Sequence, residues 1–220
     1  MKPFEYLYLQ MELEGIKRVS ESLITRTSQN IDDFPLVIIA QTSDNESLVC
    51  FDELIAEELR HKLSTNLPAF NIQNTIEVFE KSGIQAKASH FRTYTFPESF
   101  KSESTEAVKC YSHDDPKIIT FGFNGLAKDV FAIESEGVIL SACVSSRQNS
   151  KSAEAWVFTH PEYRRKRLAQ QVVTAWAGNM QKEGLVPFYS HNIENTNSAL
   201  LAKRLNLIQV FEESVIEKVS

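Results

Sequence analysis

Apolar and polar positions follow two different periods along the 220-residue chain, and the contrast is sharpest in its C-terminal half. Val130-Phe131-Ala132-Ile133 and Val138 to Ser145 are apolar runs of strand length, and Glu136-Gly137 between them suits a tight hairpin turn. A third strand, AEAWVFT from Ala153 to Thr159, follows the polar loop RQNSKS. The period then changes. Leu168, Val172, Ala175, Trp176 and Met180 recur at three- and four-residue steps, which predicts a helix with one core-facing stripe, stopped at Gly184. Pro187 to His191 reads as a strand, Ser198 to Leu205 as a helix and Leu207 to Ile216 as a final strand. The first three strands form an expected antiparallel meander that feeds the long helix.

The N-terminal half is less regular. Residues 1–30 read as helix with polar faces, with Leu7, Leu9, Met11, Leu13 and Ile16 mixed in period. Leu36 to Ala40 (LVIIA) after Pro35 predicts a buried strand, and LVCF a short second one. Asp52 to Leu63 and Asn74 to Ser82 predict helices, the second closed by Gly83. Phe91 to Phe96 alternates as a strand up to Pro97. The polar stretch Ser99 to Glu106 (SFKSESTE) is the expected linker, giving an N-terminal α/β region at 1–105 and a core domain at 118–220.

Composition narrows the class. Hydrophobic content of 42% and charged content of 24% are those of a globular protein with ample core. No apolar run approaches the ~20 residues of a membrane span, and MKPFEYLYLQMELEG lacks the apolar region of a secretory signal. Cys50, Cys110 and Cys143 have neither disulfide nor metal-ligand spacing, so the expectation is a reducing cytoplasm and no metal. Net charge is −6, divided as −7 over residues 1–120 and +1 over 121–220. That acidity disfavours nucleic acid as a partner, and an acidic first half would either attract a cationic amine or serve only as a solubilising surface.

One segment runs against the usual placement of charge. The turn HPEYRRKRLA, from His160 to Ala169, sets Arg164, Arg165, Lys166 and Arg167 before a helix. Cations there oppose the helix dipole by roughly 0.3–1 kcal/mol each. A bound polyanion removes the conflict, and a helix N-terminus with several cations is suited to phosphate. The alternative is a solvated charge run.

This segment resembles the acyl-CoA-binding core of the GNAT superfamily of N-acyltransferases. The family's turn is Gln or Arg, two residues, Gly, one residue, then Gly or Ala. Arg164 and Ala169 match its ends, and Arg167 stands where the first glycine is usual. Asn195, Ser198, Leu201 and Arg204-Leu205-Asn206-Leu207 resemble the second landmark, and the resemblance spans about 129–218. Glycine would let the backbone approach a pyrophosphate without a Cβ, whereas arginine keeps its N–H and adds a guanidinium.

The resemblance implies an α/β fold of the α+β kind: a mixed, mostly antiparallel sheet flanked by helices, with the N-terminal α/β part as an extension. It implies acetyl-CoA as acyl donor, lying in a V between the Ala153–Thr159 and Pro187–His191 strands. Val157, Phe158 and Thr159 would pair with the pantetheine amides. Backbone N–H groups from Arg165 through Lys166, Arg167, Leu168 and Ala169 to Gln170 would hold the pyrophosphate. Arg164, Arg165 and Lys166 would reach the adenosine phosphate. Asn195 and Ser198 would line the pantetheine arm, although Asn195 also suits a plain helix cap.

Chemistry needs a base, since a protonated amine has no lone pair. Glu154, on the strand leading to the turn, is the first candidate, with Glu134 behind it. The family's tyrosine acid falls at Ala202, which leaves Tyr189, Ser190 and His191 as substitutes, or a thiolate that departs unassisted. The expected function is N-acetyl transfer to a small-molecule or protein amine by direct attack. The N-terminal part would cover the cleft, select substrate or form a homodimer. Two alternatives stay open: a non-catalytic acyl-CoA-binding module and a degenerate interaction domain.

Overall fold

A computed structural model describes residues 1–27, 34–65, 72–98, 107–123, 126 and 128–219. The chain forms two compact units, one of Met1–Thr93 with Val210–Ser220 and one of Tyr94–Gln209. The divides between these compact units fall at 93/94 and 209/210. The reason is pairing: the last strand belongs with the N-terminal half. The expected linker, Ser99 to Glu106, lies outside the described residues.

In the first unit, α1 (Pro3–Leu13) is followed by the short strands β1 (Ile16–Arg18) and β2 (Leu23–Arg26). The helix expected over 1–30 therefore stops early. Gly15, at φ 77, turns the chain out of it, and β1 and β2 pair antiparallel. Then come β3 (Pro35–Thr42) and β4 (Ser47–Asp52). The helix expected from Asp52 begins later, as α2 (Glu57–Ser64), because the Asp52 carboxylate accepts the N–H of Leu54 and holds a turn. Next are α3 (Ile72–Lys81) and β5 (Ala86–Thr95), which starts earlier than its aromatic alternation suggests. The returning strand β11 (Ile208–Lys218) pairs antiparallel with β3 from Phe211 to Glu217. Leu7, Met11, Ile24, Ile38 and Phe211 form one core cluster, and Val37, Phe51, Phe79 and Ile216 belong to another.

The second unit follows the predicted order closely. After β6 (Val108–Tyr111) and α4 (Pro116–Phe121) come β7 (Val130–Ser135), β8 (Val138–Gln148) and β9 (Ser152–Thr159). The turn between β7 and β8 has φ 51 at Glu136 and φ 83 at Gly137, the two left-handed residues a two-residue hairpin requires. These strands make the antiparallel meander. Helix α5 (Leu168–Lys182) leads to β10 (Val186–Asn192) and α6 (Thr196–Arg204). The α5 stripe is the core: Val172, Val173, Trp176, Ala177 and Met180 pack with Cys143, Ala155 and Tyr189. The Trp176 indole N–H donates to Ser145 Oγ at 3.0 Å, so burying this ring leaves no polar atom unpaired.

Candidate active site

Strand β10 pairs with β9 in parallel, but only over Val186–Phe188 against Ser152–Glu154. Among the described residues that ladder stops there, while β9 continues to Thr159 and β10 to Asn192. Two parallel strands that part company leave peptide groups unpaired along their facing edges. Which groups these are follows from β8. The His160 N–H donates to the Leu140 carbonyl at 2.9 Å, and Thr159 stands opposite Ser141. The peptide edges of Val157 and Thr159 therefore point away from β8, into the gap. Phe158 points the other way, and its carbonyl accepts from Ser141 Oγ at 3.3 Å. Of the three expected backbone contacts, Val157 and Thr159 are presented and Phe158 is not.

At the mouth of the gap lies the basic turn. A short 3-10 turn at Pro161–Tyr163 leads to Arg165 at φ 65 and Arg167 at φ 62, both left-handed. Arg167 is the N-cap of α5, donates no side-chain cap, and no acid occupies the first helical turn. The first N–H groups of a helix have no carbonyl within it to bind, so those of Leu168, Ala169 and Gln170 remain available. Left-handed residues before such an end curl the backbone into an anion-binding concavity. Arg164, Arg165, Lys166 and Arg167 are all exposed around it. Arg164 Nε donates to the Thr159 carbonyl at 3.2 Å, tying the turn to the strand. The Gln170 Oε1 atom is buried and accepts no hydrogen bond from any described residue.

The other face of β9 is aromatic. Trp156 stacks on Phe123 with centroids 4.4 Å apart, and Phe158 meets Phe121 edge-on at 5.6 Å. Both β9 side chains keep solvent contact, Trp156 at 43%. They form a wall beside the gap and are not interior core.

The proposed acid and base residues fall into two groups. Glu154 sits at the closed end of the gap, opposite Phe188, and its carboxylate binds Arg147 Nη1 at 2.9 Å. Glu134 is bound by Lys117 at 2.9 Å and by the Tyr111 hydroxyl; these bonds hold its carboxyl below the usual range. Tyr189 and His191 lie on the diverging part of β10. Burial pushes the Tyr189 phenol up to about 12, against a hydrogen bond with Ser198 that lowers it. Ser190 is half-buried. His191 is buried, with Nδ1 at 2.8 Å from the Asn192 carbonyl, and its ring stacks on Tyr94 at 5.6 Å. Asn195 caps α6, its side chain accepting the Ser198 N–H at 3.1 Å. Ala202, one helical turn beyond Ser198, is buried in the core.

The order of strands, the gap and the phosphate-type turn meet in one stretch, and residues 126–215 match the family model described as GNAT acetyltransferase. Over that stretch, less than half of its length, the chain is similar to the GNAT acetyltransferases. Among solved structures, it is similar to a protein assigned to the GNAT acetyltransferases from Novosphingobium aromaticivorans, at 15% identity and TM-score 0.52, over 61% of this chain and 66% of that one. It is also similar to a GNAT-family acetyltransferase from Colwellia psychrerythraea, at 11% identity and TM-score 0.53, over 84% and 81%. At these identities the likeness is one of fold. The chain spans just under two thirds of the Novosphingobium protein. No curated protein matches it.

Sequence reasoning missed two residues that touch the candidate site, Tyr94 and Arg147. Tyr94 comes from the end of β5, and its contact with His191 joins residues far apart in the chain. Arg147 lies near the end of β8, where the bulge between Ser145 and Arg147 brings it opposite Glu154. Neither contact has a local sequence signal. Among the described residues, no cluster of three or more His, Cys, Asp or Glu could hold a metal ion, and no helix is long and apolar enough to cross a membrane.

Proposed function

We propose that this chain is an acyl-CoA-dependent N-acyltransferase, in the simplest case moving acetyl from acetyl-CoA to a primary amine of a small molecule or protein in the cytoplasm. The observation that carries the reading is the gap between β9 and β10 opening onto the α5 turn, with two left-handed arginines and no acid in the first helical turn. The residues fit such a donor. Val157 and Thr159 offer peptide groups to an extended amide chain, as an added strand would use them. Leu168, Ala169 and Gln170 offer N–H groups to a pyrophosphate, and Arg164 to Arg167 supply its counter-charge.

Acyl transfer requires the amine to lose a proton, its nitrogen to bond the thioester carbon, and the carbon–sulfur bond to break. Glu154 is already bound to Arg147, which weakens it as the base and favours a structural role at the closed end of the gap. Tyr189, Ser190 and His191 remain as groups for moving protons along the open part of β10. A thiol of pKa about 8.5 also leaves without strong assistance. The occupied Glu154 carboxylate and the buried Ala202 favour one alternative, a domain that binds acyl-CoA without turning it over.

Thermal unfolding with and without acetyl-CoA tests the reading. At about 100 times Kd, a ligand of the native state stabilises by about 2.7 kcal/mol, a rise of several degrees in Tm. That rise is expected for the wild type and should be lost in an Arg164→Glu/Arg165→Glu variant. No rise at saturating acetyl-CoA refutes the proposal. Release of free thiol in the presence of a mixed pool of primary amines then separates the transferase from the binding module.

A further inference from the structure

Four aromatic rings gather on one face of β9, and two of them stay in solvent. Trp156 stacks on Phe123, Phe158 meets Phe121 edge-on, and Phe121 meets Phe123 at 5.2 Å, so the four form one joined cluster. Phe123 is buried, but Trp156 is 43% exposed and Phe158 38%. Single exposed apolar residues are ordinary on a protein surface. A joined cluster of large rings is not, and such patches mark places where something binds. Phe123 lies 4.4 Å from one face of the indole, so the solvent contact of Trp156 falls on its other face and its rim.

Position along the strand says what can reach these rings. Side chains of a strand alternate between the two faces of its sheet. Ala155 and Val157 pack with Val172, Val173 and Trp176 of α5, so that face of β9 is filled. Trp156 and Phe158 stand on the opposite face, on either side of Val157, whose peptide edge points into the gap. A molecule that meets a donor lying in the gap therefore comes to it over these two rings. The charged group that meets the rings is a cation. The Arg164 guanidinium stands 6.0 Å from the Phe158 centroid, with its Nε held by the Thr159 carbonyl. A polyamine would meet like charge there, which works against it. An amine on a flat apolar body gains the ring contacts and carries a single charge, which it must lose in any case before it attacks.

We propose that Trp156 and Phe158 form the wall of an acceptor subsite, and that the acceptor is a primary amine carried on an aromatic body, in preference to a polyamine. The inference rests on the acyl-CoA reading above and narrows its amine to one chemical class. The rings bind and orient the acceptor; no bond forms or breaks on them.

The test uses the full chain, with phenethylamine as the probe and spermidine as the comparison. The chain has two tryptophans and Trp176 is fully buried, so quenching of indole fluorescence by acrylamide reports on Trp156. With acetyl-CoA saturating, phenethylamine should protect Trp156 from the quencher and spermidine should not. Thiol release at equal, sub-saturating amine should be about tenfold faster with phenethylamine. Trp156→Ala should weaken phenethylamine binding, read by calorimetry, about tenfold. Trp156→Phe, which keeps a ring against Phe123, should restore most of it. Protection by both amines alike, or by neither, while acetyl-CoA still raises Tm, overturns this inference and leaves the acyltransferase reading standing. Full protection by acetyl-CoA alone assigns the rings to the donor and overturns it in the same way. Absence of any acetyl-CoA effect on Tm removes both.

Discussion

Arg167 is the residue at which side chain and backbone conformation disagree. It holds a left-handed φ of 62, and a side chain with a Cβ costs roughly 1–2 kcal/mol there. Glycine relieves that strain but gives back part of it as unfolded-state freedom. Arg167→Gly should therefore raise stability by about 0.5–1 kcal/mol, seen as a higher urea midpoint at unchanged slope. A less stable variant would mean that the guanidinium contributes more than the strain costs. Tyr189 gives a prediction of opposite chemistry. Its phenol is raised from 10 to about 12, mainly by burial. A raised pKa means that the unfolded chain loses this proton first, so the associated stability is present below about pH 10 and fades between pH 10 and 12. Tyr189→Phe should flatten the loss of stability in that alkaline window, as followed by urea unfolding at stepped pH.

At the level of elements, α5 anchors the second unit, and its buried stripe should respond accordingly. Trp176→Ala removes a fully buried ring and the donor to Ser145 Oγ, so a loss of about 3–5 kcal/mol is expected from urea unfolding. A loss under 1 kcal/mol would show that the stripe is not what holds the helix to the meander. This helix was legible in the sequence because its signals are local: the three- and four-residue apolar steps, and Gly184 at its end. The β7–β8 hairpin was legible for the same reason, through Glu136-Gly137. β1 and β2 were not. They are three and four residues long, and β2 finds its second partner at Phe51 and Asp52. So short a strand exists by virtue of pairing that its own residues do not encode. The site divides along the same line. The basic turn announces itself as four consecutive cations, whereas the choice of Val157 over Phe158 depends on the register with β8, and the Tyr94 stack depends on a long-range meeting.

At the scale of the whole molecule, the two units are unequal in continuity. The second is built from one unbroken stretch, and the first needs residues from both sides of it. In the first unit's sheet, β11 lies between β3 and β5 and buries Val210, Phe211 and Ile216. A chain truncated after Gln209 should therefore lose the first unit while keeping the meander and α5. Limited proteolysis with mass spectrometry would check this: fragments within 1–93 should be cut rapidly, and the stretch from about 107 to 209 should persist. Equal protection of both would refute it.

The returning strand also sets an order of events during synthesis. Every residue of the second unit leaves the ribosome before Val210 does. The second unit can fold as soon as it emerges, while β3 and β4, made earlier, wait with one edge unfilled. The usual N-to-C sequence of maturation is reversed in this chain, and a holdase that shields an open strand edge would act on its oldest residues, not its newest.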